Sequence, residues 1–155
     1  TDLLIQTEMS AGSIAYFAYG SNMCPEQMAE RCPGGKAIGS AELHNWEFLI
    51  NIRTYATIET KHKSTTHGVL WTLTKKHIAT LDEYEAVEEE MYYKKTLKVL
   101  HEGKPIEALV YIDPVCEKGA PDSIYMKNIL NGAKFFKLPK DYILQLENKW
   151  RKNIF

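Results

Sequence analysis

Ile14-Ala15-Tyr16-Phe17-Ala18-Tyr19-Gly20-Ser21-Asn22 is the stretch on which the fold turns. Its first six residues are apolar or aromatic at every position, so neither face of a strand built from them can rest in water. A short run of this kind, ended abruptly by small polar residues, reads as a central strand buried front and back. The Gly-Ser-Asn exit adds a turn in which successive backbone N–H groups can point into one concavity, with a helix start close behind. Such a turn favours an anion such as a carboxylate. An ordinary strand-to-helix connection is the commoner reading on composition alone, and a phosphate loop is excluded because G-x-x-x-x-G-K-[ST] is absent.

Outward from this strand, Pro25 opens a helix through Cys32, since proline suits the first helical turn, and Pro33-Gly34-Gly35 ends it. Trp46, Phe48, Ile50 and Ile52 alternate with Glu47 and Asn51 and predict a half-buried strand. Residues 54–67 are rich in threonine and lysine, and read as a short strand at Ala56-Thr57-Ile58 running into a surface loop. Gly68–Leu73 is a further strand. A helix follows from Thr74 as N-cap to Glu85 or Val87. Tyr93, Leu97 and Val99 share one strand face, Glu102-Gly103-Lys104 turns a hairpin, and Ile106, Ala108, Val110 and Ile112 alternate on the return. Two helices close the chain, one from Asp122 to Asn131-Gly132 and one from Pro139 to about Trp150. Strands and helices mix without strict βαβ alternation, so the fold class is α+β in a single domain. Residues 1–13 read as a flexible tail before a domain over 14–155, with Met9 a candidate natural start.

The 155 residues suit one domain with a continuous core. Hydrophobic residues make up 45% and charged ones 25%, which excludes a disordered chain. Nineteen basic residues against twenty acidic ones leave no electrostatic footprint for nucleic acid. No run approaches the roughly 20 apolar residues that cross a bilayer. Three cysteines, Cys24, Cys32 and Cys116, argue against a disulfide framework and for a reducing, cytoplasmic location.

The chemistry centres on Glu85. At about 100° per residue it lies roughly 20° from Ile78, with Leu81 within about 60°, whereas Glu83 points about 140° away. Glu85 therefore shares the stripe that faces the core. A carboxylate turned inward loses hydration, its pKa rises, and it suits general-base work near neutral pH. The alternative is a helix-end carboxylate that reaches solvent or pairs with a lysine. Cys24 and Cys32 are separated by seven residues and no histidine pair has ligand spacing, so no metal site is expected. The five histidines and Cys116 lack partners in sequence, and Tyr16, Tyr92, Tyr111 and Tyr125 fit packing positions.

Taken in order, these segments resemble the γ-glutamylcyclotransferase family. Tyr16–Asn22 is similar to its YFAYGSN start, Gly68-Val69-Leu70-Trp71 to its hydrophobic strand, and Leu81-Asp82-Glu83-Tyr84-Glu85 to its LDExE helix end. Met91-Tyr92, Tyr125, Gly132-Ala133-Lys134 and Leu138-Pro139 match later landmarks, and the likeness spans about residues 14–145. The resemblance implies a small mixed β-barrel flanked by helices, with Glu85 as the catalytic acid/base. Tyr19, Gly20, Ser21, Asn22, Tyr92 and Tyr125 would bind substrate, with Tyr111 a further wall. No cofactor is implied, and the partner is a small γ-glutamyl molecule closed to 5-oxoproline, with a homodimer as the expected assembly. Two alternatives stand beside it: a carboxylate-binding relative without turnover, and an enzyme for a γ-glutamylated amine. Ala86 departs from the glycine the family often carries after the glutamate, and YGSN differs from the YGTL of the γ-glutamylamine branch.

Overall fold

The computed structural model describes residues 12–150. The expected tail therefore lies, apart from residues 12 and 13, outside the described residues, as do the last five residues of the expected domain.

Five strands form a closed barrel in the order β1-β3-β2-β4-β5. β1 (Ile14–Ala18) is the central strand expected, with all but its first residue buried. It pairs antiparallel with β3, where Phe17 meets Leu70. On its other edge it pairs parallel with β5, where Tyr16 meets Leu109, and this junction closes the sheet. A strand hydrogen-bonded on both edges, with barrel interior on one face and helices over the other, needs apolar side chains throughout, which is what the quoted stretch supplies.

β2 (Lys36–Ile50) and β3 (Ala56–Leu73) are far longer than their sequence suggests. The segment expected to be a loop is the middle of β3. Its β-branched threonines, Thr57 and Thr66 buried and Thr65 half-buried, favour the pleated conformation, and residues 60–63 stay exposed where the hairpin bulges. The register shifts between His44 and Trp46, with Asn45 (φ 69°) opposite Lys63 (φ 67°). The strand before the turn ends at Ile50. Ile52 lies in the turn with 54% of its surface exposed, so its place in the alternation was coincidental.

That turn is held by Asn51, which is fully buried. Its Oδ1 accepts from the N–H groups of Arg53 and Tyr55, while its Nδ2 donates to Asp113 Oδ2 at 2.9 Å and to the Val115 carbonyl. β4 (Tyr93–His101) and β5 (Lys104–Ile112) form the expected hairpin, with Glu102 and Gly103 both at positive φ. Tyr93 sits at the open end of its strand and is 44% exposed rather than core-facing.

Helix α1 (Pro25–Arg31) follows a single 3-10 turn at Ser21–Met23. Helix α2 (Lys75–Tyr84) starts on Thr74, whose Oγ1 accepts from His77 N–H while His77 Nδ1 accepts from Thr74 N–H. The histidine thus takes the reciprocal role usually filled by glutamate or glutamine. Helix α3 (Ser123–Phe135) is capped by Asp122 and runs through Asn131-Gly132, where a stop was expected. Gly132 serves close packing instead: a Cβ there would come within 2.4 Å of the Met23 backbone. Helix α4 (Lys140–Lys149) ends on Trp150, which packs edge-on against Phe48.

Candidate active site

The exit of β1, the end of α2, the start of α3 and strand β5 converge on one small pocket. Its wall includes every residue singled out from sequence: Tyr19, Gly20, Ser21 and Asn22 from the turn, with Glu85, Tyr92, Tyr111 and Tyr125. Tyr16, Phe17 and Ala56 complete it. A larger groove between the bulge at 63–67 and α4 holds none of these residues.

Glu85 stands where α2 stops. Its N–H still bonds the Leu81 carbonyl at 2.8 Å, but the next residue, Ala86, turns to φ 50°, and the chain leaves the helix axis there. The periodicity that aimed Glu85 at the core thus holds through the last turn, with Ile78 and Leu81 buried on the same stripe. Glu85 is half-buried as a residue, and loss of hydration pushes its pKa from 4.5 to about 7. Arg31 opposes that rise and the Asp113 carboxylate adds to it.

The tyrosine hydroxyls divide into two kinds. Tyr19 donates to the Tyr111 carbonyl, Tyr92 to the Ala56 carbonyl at 2.6 Å and Tyr111 to Asp82 Oδ1 at 2.7 Å. Their protons are committed to the scaffold; Asp82 is held in turn by Lys94. Tyr125 and Tyr16 are acceptors, from Ala56 N–H at 3.0 Å and Asn22 Nδ2 at 2.9 Å. Among the described residues neither hydroxyl donates to an acceptor. All five hydroxyls resist ionisation, chiefly through burial and further through the Glu85 charge. They are donors at neutral pH, not bases.

Asn22 is oriented from behind. Gln27 Nε2 and Arg31 Nη1 both donate to its Oδ1, at 2.8 and 3.1 Å, which turns its amide NH₂ toward Tyr16. Gln27 also donates to Ser21 Oγ. Gly20 is needed for room, since a Cβ would sit 3.2 Å from the Ala56 methyl and 3.4 Å from the Tyr125 hydroxyl. Tyr16, Gln27 and Arg31 escaped the sequence reading. Tyr16 looked like core packing within an all-apolar run, and the other two belong to a helix whose polar face resembles any solvated one.

The fold and site thus define a small closed barrel with a polar turn at one strand exit and a carboxylate facing it across a pocket. The model of the AIG2-like family matches residues 65–146. Mouse gamma-glutamylcyclotransferase is 33% identical over 138 residues, covering 82% of this chain and 73% of that one. The human gamma-glutamylcyclotransferase is 32% identical over 141 residues, covering 84% and 75%. A solved gamma-glutamyl cyclotransferase structure superposes with a TM-score of 0.82 at 32% identity, covering 87% of this chain and 86% of its own. The chain belongs to the AIG2-like family, among its gamma-glutamylcyclotransferase relatives.

Proposed function

We propose that the protein is a γ-glutamylcyclotransferase that closes a γ-glutamyl amino acid or peptide to 5-oxoproline and releases the amino acid or amine. One observation carries the reading. A desolvated carboxyl with a pKa of about 7, that of Glu85, shares a small pocket with the amides and side chains of Gly20-Ser21-Asn22. The names of the relatives support the same activity.

The reaction needs little from the protein beyond placement and proton traffic. The substrate's α-amine attacks its own γ-carbonyl carbon, a C–N bond closes a five-membered ring, and the bond to the leaving nitrogen breaks. Two protons leave the α-ammonium, and two arrive on the leaving nitrogen, which departs as an ammonium. Glu85 can carry both in turn, taking each from the attacking nitrogen and delivering it to the leaving one. A group with its pKa near the working pH transfers in both directions efficiently.

The turn at residues 20–22 would hold the glutamyl α-carboxylate, through the N–H groups that begin the 3-10 turn and so lack partners within it. Tyr125 and Tyr16, with uncommitted protons, would donate to the γ-carbonyl oxygen as negative charge develops there. Tyr19, Tyr92 and Tyr111 would keep the chain folded into a near-attack shape and exclude water. The deciding experiment incubates the protein with γ-glutamyl-alanine and follows products by mass spectrometry. Equimolar 5-oxoproline and alanine are expected; a bound but unconverted dipeptide would leave a carboxylate-binding protein without turnover.

A further inference from the structure

Arg31, the last residue of α1, is half-buried, yet among the described residues no carboxylate lies in ion-pair contact with it. Its partners are neutral. Nη1 donates to Asn22 Oδ1 at 3.1 Å, and the guanidinium carbon stands 4.1 Å from the centre of the Tyr84 ring. One partner lines the pocket and the other directly precedes Glu85, so Arg31 stands beside the wall that turn and helix end form. Its charge is felt on several sides of the cavity, at Glu85, Tyr16 and Tyr125. A guanidinium carries five N–H donors in a planar fork, and one hydrogen bond plus one stacked face leave most of that edge unused. A half-buried cation with spare donors and, among the described residues, no carboxylate at ion-pair distance, bonded to a pocket-lining residue, is matched to an acid on the ligand.

A γ-glutamyl dipeptide has two such acids. The glutamyl α-carboxylate adjoins the attacking amine and belongs with the turn at residues 20–22. The other is carried by the leaving amino acid, on the far side of the scissile amide from the attacking amine. We infer that Arg31 binds the carboxylate of the leaving amino acid, which makes the enzyme selective for γ-glutamyl amino acids and peptides over γ-glutamyl amines. This inference rests on the cyclotransferase reading above.

The test compares kcat/KM for γ-glutamyl-alanine and γ-glutamyl-alaninamide, which differ only in the distal acid. The wild-type protein is expected to prefer the acid by about ten- to hundredfold, the range of a charge-assisted pair. Arg31→Gln should bring the ratio close to one. Arg31→Lys, which keeps the charge and loses the fork, should fall between. The ratio cancels any general slowing caused by a loosened Asn22 or a changed Glu85, and the lysine variant covers a glutamine variant that fails to fold. If Arg31 instead holds the glutamyl carboxylate, Arg31→Gln slows both substrates equally and the inference is overturned. An unaltered preference in Arg31→Gln overturns it as well. Wild-type protein that converts neither substrate overturns the cyclotransferase reading itself, a result distinct from both.

Discussion

Helical spacing put Glu85 on the stripe of Ile78 and Leu81 but left open a helix-end carboxylate that reaches solvent, and its place in the pocket wall decides for the inward position. Replacing it with glutamine keeps shape and removes proton transfer. Turnover of Glu85→Gln should fall a hundredfold or more with ligand affinity retained, and a folded variant of normal rate would refute the assignment. In the wild type, kcat/KM should rise as pH climbs toward about 7, where the carboxyl ionises, and reach its acid-side plateau above that. The same shift has a consequence for stability that needs no substrate. Below about pH 4.5 both folded and unfolded chains hold the proton and the group costs nothing. Between there and pH 7 the unfolded chain ionises first, so stability declines, and above pH 7 the full cost applies, about 3 kcal/mol. Glu85→Gln should therefore melt higher than wild type at pH 8 and alike at pH 4. Ala86 carries its own strain at φ 50°. Left-handed geometry costs a Cβ-bearing residue about 1–2 kcal/mol, partly offset by the greater unfolded-state entropy of glycine. Ala86→Gly should thus stabilise the protein by roughly 0.5–1 kcal/mol in chemical denaturation, and a loss of stability would show that the turn is relaxed as it stands.

At the scale of elements, the surprise is β3. Its polar middle offered no apolar alternation, because the hairpin bulges away from the core at 60–63 and its side chains meet water. Periodicity reports burial, so a strand that leaves the barrel loses its signature while keeping its hydrogen bonds. The continuation of α3 through Gly132 has a similar cause. Glycine ended the helix on propensity, yet the 3-10 turn at residues 21–23 needs that space more. Gly132→Ala would ordinarily favour a helix. Here the methyl group meets Met23 backbone atoms at 2.4–2.5 Å. The variant should lose about 1–3 kcal/mol and raise KM several-fold as the turn beneath Asn22 shifts. A thermal melt with steady-state kinetics checks both, and an unperturbed KM would mean that the pocket is insulated from α3.

Over the whole molecule, distant segments are tied by buried polar contacts. Asn51 and Asp113 are both 0% exposed and lie 62 positions apart. Asn51 joins the tip of the β2–β3 hairpin to the chain leaving β5, and Thr57 holds the same segment through paired bonds with the Asp113 backbone. Asn51→Ala strips the Asp113 carboxylate of a donor in a dry site, where an unmet polar group costs about 1–3 kcal/mol. Denaturant unfolding should show that loss in midpoint at constant slope; a drop below about 0.5 kcal/mol would mean that Arg53 or water takes over. The barrel itself was not readable from periodicity or composition, which went no further than a mixed single domain. Its shape was expected only through the resemblance of ordered motifs.

What the chain determines by itself is local. Side-chain polarity every second or every fourth residue declares which face of an element avoids water, and small residues declare where the backbone must turn. Those rules were enough for β1, the capped start of α2, the β4–β5 hairpin and the stripe that Glu85 shares with Ile78 and Leu81. Which inward faces meet is decided elsewhere, by the parallel seam between β1 and β5 and by the bend of the long hairpin. That assembly brings Tyr16, Tyr125 and Arg31 near Glu85, and among the described residues it pairs three of the five hydroxyl protons with scaffold acceptors and leaves the other two without one. Such pairings depend on atoms dozens of positions apart in the chain, and no rule of neighbouring residues contains them.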